Sequence, residues 1–202
     1  MKKIILSIAI FFFANTKSFG HVEHYAKYNY LEYELFRNNN SIGYHKYDFK
    51  RNGDNLSILS EVSFKITKLG VDLYKYFAKS EENYEKGIFK SYSSKTKQNK
   101  KDRFVNIKLD NSNKHLNIEG SSYTGEANKE FIVGTWWNHE IVKAKAQISG
   151  ISGRIIYQTV TFIGKETIKI GDKSYKTLRF NFKSSDETLP DSKKLNTDIW
   201  YE

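Results

Sequence analysis

The chain has 202 residues, a formal net charge of +10 and no cysteine, which excludes a disulfide framework, thiol chemistry and a lipid-modified cysteine. Its positive charge is mostly lysine and is scattered, fitting a solvated outer surface and arguing against a nucleic-acid partner, which needs basic residues gathered on one face. Aromatic residues make up 15% of the chain and there is one proline, Pro190, a composition that favours long β-ladders.

Met1-Lys2-Lys3 leads into an apolar run over residues 4–14, and polar Asn15, Thr16, Lys17 and Ser18 follow at once. A membrane-spanning helix needs roughly 20 apolar residues. The shorter run has the length of a secretory leader, with Ser18 and Gly20 as the small residues before a cut at His21. Residues 1–20 are therefore expected to be a signal peptide that sends the protein to a bacterial periplasm. The remaining 182 residues, 21–202, would form one domain with a net charge of +7 once the three lysines of the leader are gone.

From there the dominant signal is alternation of apolar and polar residues, the period of a strand with one buried face. Leu56, Ile58, Val62, Phe64 and Ile66 against Ser57, Glu61, Ser63 and Lys65 give the clearest instance. Strands are expected at 28–36, 42–50, 56–67, 71–78, 87–96, 104–109, 115–119, 155–163, 166–170, 175–183 and 197–201. Asn52-Gly53-Asp54, Asn111 to Asn113 and Gly171-Asp172 supply hairpin turns between them. The lysine-rich stretch 95–103 reads as a long exposed hairpin loop, and a peripheral contact with an anionic membrane surface or an acidic partner is the functional alternative there. One short helix is expected at 138–147, with Asn138 as its cap and Glu140 in the first turn. Residues 184–196 are polar and read as a loop. The final residues, Asp198 to Glu202, read as a strand in progress, so a C-terminal truncation that removes its hairpin partner is expected. The fold expected is mainly β: a single curled antiparallel sheet, a half-barrel or open barrel of about ten or eleven strands, with one short helix.

Chemistry is sparse. No Gly-x-Ser-x-Gly elbow occurs, and the five histidines (21, 24, 45, 115 and 139) have no nucleophile and acid in recognisable order around them. A leader cut before His21 would place an amino terminus, His21 and His24 within reach of a copper or zinc ion, but no metal or other cofactor is expected. Glu81-Glu82 and Asp186-Glu187 read as solvated turn acids rather than a glycosidase pair. Trp136 and Trp137 before the helix, with Tyr74, Tyr76 and Phe77, are the candidate ligand-binding residues. They would line the concave side of a curved sheet, where an apolar molecule stacks or is buried.

Several spaced elements carry a resemblance: Ser41-Ile42-Gly43, residues 82–89 (Glu-Asn-Tyr-Glu-Lys-Gly-Ile-Phe), Trp137-Asn138, Gly153, Gly164 with Glu166, and Trp200-Tyr201-Glu202. In this order they resemble an uncharacterised family of secreted alphaproteobacterial domains of unknown function. The resemblance implies a curled sheet similar to periplasmic lipoprotein-sorting and lipid-carrier half-barrels. Together these readings predict a non-enzymatic periplasmic protein that binds or carries a lipid or other apolar molecule. The alternative is a structural adaptor that recruits a partner chain at a sheet edge; an enzyme acting on envelope polymers is a third, weaker reading. Oligomeric state is not legible.

Overall fold

The computed structural model describes residues 25–202. The expected leader, its cut before His21 and the His21–His24 pair lie outside the described residues. Eight strands form one antiparallel sheet in sequence order: β1 (Tyr30–Arg37), β2 (Asn40–Asn52), β3 (Asn55–Lys68), β4 (Val71–Glu85), β5 (Ile88–Gln98), β6 (Lys101–Leu109), β7 (His115–Gly120) and β8 (Thr124–Asn128). The remaining five are β9 (Ile132–Val133), β10 (Ala146–Ile148), β11 (Ile155–Ile170), β12 (Lys173–Ser184) and β13 (Asn196–Tyr201). They make a second sheet, ordered β13-β12-β11-β10-β9, in which only β9 and β10 run parallel. The mainly β, antiparallel reading holds, with no closed barrel; the strands divide between two sheets.

Tight turns make the long meander possible. Asn38-Asn39, Leu69-Gly70 and Lys86-Gly87 all have positive φ at both residues, the mirror-image turn geometry that matches the right-handed twist of the flanking strands. Gly43 closes β2 against β3, since a Cβ there would overlap the Ser63 carbonyl. Register then sets the faces. Phe49, Ile58, Glu82, Tyr92, Ile107 and Ile118 form one cross-strand row, and Tyr47, Ser60, Ser80, Ser94 and Val105 form the next. This inner face holds two core clusters. One gathers Tyr92, Val105, Ile107, Leu116, Ile118, Val133 and Ile148. The other gathers Tyr47, Phe49, Leu56, Ile58, Tyr84 and Trp137.

Four expectations are corrected. The helix expected at 138–147 is a five-residue 3₁₀ turn, His139–Lys143, capped by Asn138 as expected. Residues 146–148 leave it to pair with β11, because Gln158 Nε2 donates to the carbonyls of both Ile141 and Ala144 and tertiary pairing overrides helix propensity. The strands expected at 155–163 and 166–170 are one strand, β11, with its register shifted between Phe162 and Gly164. The lysine-rich 95–103 stretch is ladder rather than loop, with Lys97 opposite Asp102 and Gln98 opposite Lys101. The strand expected to end at residue 78 continues to Glu85. Among the described residues no helix is long and apolar enough to cross a membrane.

Candidate functional site

Two parts of the inner face concentrate unusual chemistry. The first is Glu82. Alternation along β4 points Ser80, Glu82 and Tyr84 inward, and Glu82 is 2% exposed. Its Oε1 accepts from the Tyr84 hydroxyl at 2.5 Å, and its Oε2 accepts from Trp137 Nε1 at 2.8 Å and Thr135 Oγ1 at 3.2 Å. Asn138 Nδ2 donates in turn to the Tyr84 hydroxyl at 3.4 Å, and Tyr47 donates to the Thr135 carbonyl at 2.5 Å. Burial pushes the Glu82 carboxyl above the usual carboxylate range, against the opposing pull of the Tyr84, Trp137 and Thr135 hydrogen bonds. Tyr25, Phe49 and Tyr84 pack edge-on around the Trp137 ring, so the carboxyl is walled in. This arrangement fastens the 134–138 crossover to the large sheet; it offers no route for a substrate. The expectation that Glu82 is a solvated turn acid is therefore corrected. Its neighbour Glu81 faces solvent and accepts from Ser57 Oγ.

The second part lies further along β3 and β4, on the same face. Phe64 stacks on Tyr76 with ring centroids 4.9 Å apart and 15° between planes, and the Tyr74 ring lies 5.8 Å from Phe64, tilted by 33°. Between this stack and the core runs a floor of small side chains, Val62, Ala78 and Thr96 in one row and Ser60, Ser80 and Ser94 in the next. His45 borders it, with Nε2 2.9 Å from Ser60 Oγ. Burial holds the His45 imidazole down to about 4 and lifts the Tyr76 hydroxyl to about 12, so both are neutral at physiological pH. Thr96 Oγ1 is buried beside the Tyr76 hydroxyl without completing a hydrogen bond of normal geometry. Phe64, Tyr74 and Tyr76 are half-buried and belong to neither core cluster.

The five residues singled out from the sequence are thus divided. Tyr74 and Tyr76 share the shelf. Trp137 is spent in the core at 4% exposure. Trp136 adopts a positive φ of 67°, sets its ring edge-on to Phe182 and accepts from the Tyr201 hydroxyl through its carbonyl. Phe77 faces the opposite side of β4, 41% exposed, beneath the ammonium of Lys79. Sequence reasoning did not assign Phe64, His45 and Thr96 to the site; the signal was there in the cross-strand register, which follows once the turns are placed.

Other polar groups are structural or solvated. His139 Nε2 lies 3.8 Å from Glu140 Oε1, and Asn138 Oδ1 accepts from the Glu140 amide, the first-turn arrangement expected. Asp186 accepts from the amide and hydroxyl of Thr188 in an exposed turn. On the second sheet Arg179 bridges Asp198 and Glu166 and lies over the Trp200 ring, whose Nε1 donates to Glu166. An open trough of about 690 Å³ crosses the outer face past Lys46, Leu59, Glu61, Lys79 and Phe104; its mixed charge suits water. Among the described residues no group of three or more His, Asp or Glu side chains could hold a metal ion.

Comparison with curated proteins and with solved structures finds no match to this chain. Several elements singled out in the sequence turn out to be the fastenings just described: Gly43 closes β2 on β3, Glu82 and Trp137-Asn138 form the buried hub, and Glu166 with Trp200 flanks Arg179. The family described as Domain of unknown function (DUF6134) matches residues 33–202, and the chain belongs to it.

Proposed function

We propose that the protein is an exported, non-enzymatic binding protein that holds a lipid or other apolar molecule on the Phe64–Tyr74–Tyr76 shelf of its inner face. The observation that carries this reading is the half-buried aromatic stack itself, set beside a floor of small residues and outside both core clusters. Aromatic faces left half-covered beside small side chains accept a chain or ring that would complete their burial. Covering about 200 Å² of apolar surface contributes roughly 5 kcal/mol before association costs are subtracted, so modest, exchangeable binding is the expectation. Thr96 Oγ1 supplies one buried polar group for an oxygen or nitrogen of the ligand. The buried Glu82 does not compete as a catalytic reading, because its acceptor positions are filled by the protein's own donors.

The test is native mass spectrometry with lipid extraction on the purified protein, followed by titration with a fluorescent fatty acid. A co-purifying lipid near one-to-one, and at least a tenfold loss of probe affinity in Phe64→Ala, are the expected results. A clean apo mass together with no saturable probe binding would sink the proposal.

A further inference from the structure

The turns between β1 and β2, β3 and β4, and β5 and β6 all lie at one end of the large sheet, because a meander returns there at every second turn. That end combines exposed apolar side chains with a local excess of positive charge. At the apex of the β3–β4 hairpin stands Leu69, 94% exposed and at φ 50°. Two-residue turns of this geometry favour Asn or Asp at the first position, since a leucine side chain fits poorly at positive φ. The chain observes that preference at the neighbouring β1–β2 turn, where Asn38-Asn39 stands, and at the β5–β6 turn Asn99 holds the first, positive-φ position. At Leu69 it forgoes the better turn residue and leaves a large apolar side chain in water, two local disadvantages with no contact in the fold to offset them. Val71 and Leu73, 62% and 54% exposed, continue the apolar surface down β4, and Phe36 at 60% stands beside the β1–β2 turn.

Charge is gathered around these side chains. Within residues 35–43, 64–76 and 97–103, eight lysines and arginines stand against two acids, Asp72 and Asp102. These 29 residues carry +6 of the net +8 of residues 25–202. Asp72 is already held by Lys65 and Lys75. Lys68, Lys97, Lys100 and Lys101 form no ion pair among the described residues. The charge that looked scattered along the sequence is concentrated at one end of the sheet by the meander.

We propose that this end docks on an anionic lipid bilayer, with Leu69 and its apolar neighbours entering the interface and the surrounding lysines meeting the headgroups. An apolar apex with a basic collar has the two contributions that hold proteins at such surfaces, burial of apolar area and attraction to anionic lipid. An acidic protein or a nucleic acid would use the lysines and leave the exposed leucine without a role. The shelf spans the Gly43–Phe64–Tyr76–Gln98 row and Tyr74 beyond it, just behind these turns, but the docking stands whether or not the shelf holds a ligand.

Co-sedimentation with vesicles tests it, comparing 30% phosphatidylglycerol in phosphatidylcholine with phosphatidylcholine alone. Purified protein should bind the anionic vesicles at least tenfold more tightly, and 0.5 M salt should remove most of that difference. Leu69→Asn improves the turn, so its urea midpoint should equal or exceed that of the natural chain while its vesicle affinity falls at least fivefold. The pair Lys100→Glu and Lys101→Glu should lose binding to the anionic vesicles alone. Equal binding to both vesicle types, no binding to either, or full affinity in Leu69→Asn would overturn the proposal. So would tighter binding to duplex DNA or polyglutamate than to the anionic vesicles.

Discussion

Three donors converge on Glu82, and what happens when the carboxyl is removed separates a fastening from a bystander. In Glu82→Leu, Trp137 Nε1, Thr135 Oγ1 and the Tyr84 hydroxyl lose their shared acceptor in a buried region. Each buried group left unpaired costs about 1–3 kcal/mol, so a loss of at least about 3 kcal/mol is expected in urea denaturation. Glu82→Gln keeps an acceptor for Trp137 and lets Tyr84 turn to accept, and should lose less than half as much. The two also separate by pH. Because burial raises the folded-state value above the ordinary 4.5, the contribution of the carboxyl is complete below that pH and declines as pH rises through the folded value. The natural chain should therefore compare best with Glu82→Gln in acid and progressively worse toward neutrality. A pH-independent difference between them would show that the carboxyl titrates normally. None of this was legible from the sequence. With Ala78, Ser80 and Glu82 turned inward, β4 loses the apolar half of its alternation, so the strand looked finished at residue 78 and the acids after it looked like a turn.

At the scale of elements, most strands were legible because their inward residues are apolar, as in β2, β3, β6 and β7. Those that escaped are β8, whose Thr-Gly-Glu-Ala-Asn run has little apolar alternation although it pairs with its neighbour β7, and two shorter strands whose pairing is set from a distance. β9 has two residues and β10 three, and they exist because the crossover after β8 is laid parallel against β10 and β10 against β11. No local pattern announces such a pairing. The shelf was half-legible for a related reason. Tyr74 and Tyr76 follow from alternation along one strand, but their contact with Phe64 depends on the register across the β3–β4 hairpin, which a slip of one residue would reverse. That register is fixed partly from the β2 side, where Gly43 leaves room for the Ser63 carbonyl and the Phe64 backbone. Gly43→Ala should therefore cost about 2–3 kcal/mol in urea denaturation, although alanine in an unobstructed strand is worth about 0.5–1 kcal/mol over glycine. A gain in stability would mean that β2 and β3 can separate there without loss, and that the shelf is not held from that side.

For the whole molecule, the two sheets share one inner face unequally. The second sheet and the 129–153 crossover meet the large sheet at Tyr92, Val105, Ile107, Leu116 and Ile118 and at Tyr47, Tyr84 and Trp137. Beyond the Phe64–Tyr76 row, the β3–β4 hairpin is held by its own ladder, an aromatic stack, the exposed ion pairs of Asp72 with Lys65 and Lys75, and one pair of hydrogen bonds between Lys75 and Asn99. Stability should be graded accordingly. Amides of Val105, Ile107 and Ile118, whose side chains are 0–3% exposed, can exchange only when the whole domain opens, whereas those of residues 65–73 need only local separation of one hairpin. Native-state hydrogen exchange should place the hairpin amides at least about a hundredfold faster, a difference of roughly 3 kcal/mol in opening free energy. Any ligand that occupies the shelf should slow exchange at Phe64 and Tyr76 while leaving Ile107 nearly unchanged, because it joins the part of the face the core does not cover. Uniform protection from β3 to β7 would contradict this gradient: it would mean that the distal hairpin is held by contacts as strong as the core, and a site there would be rigid before any ligand arrived.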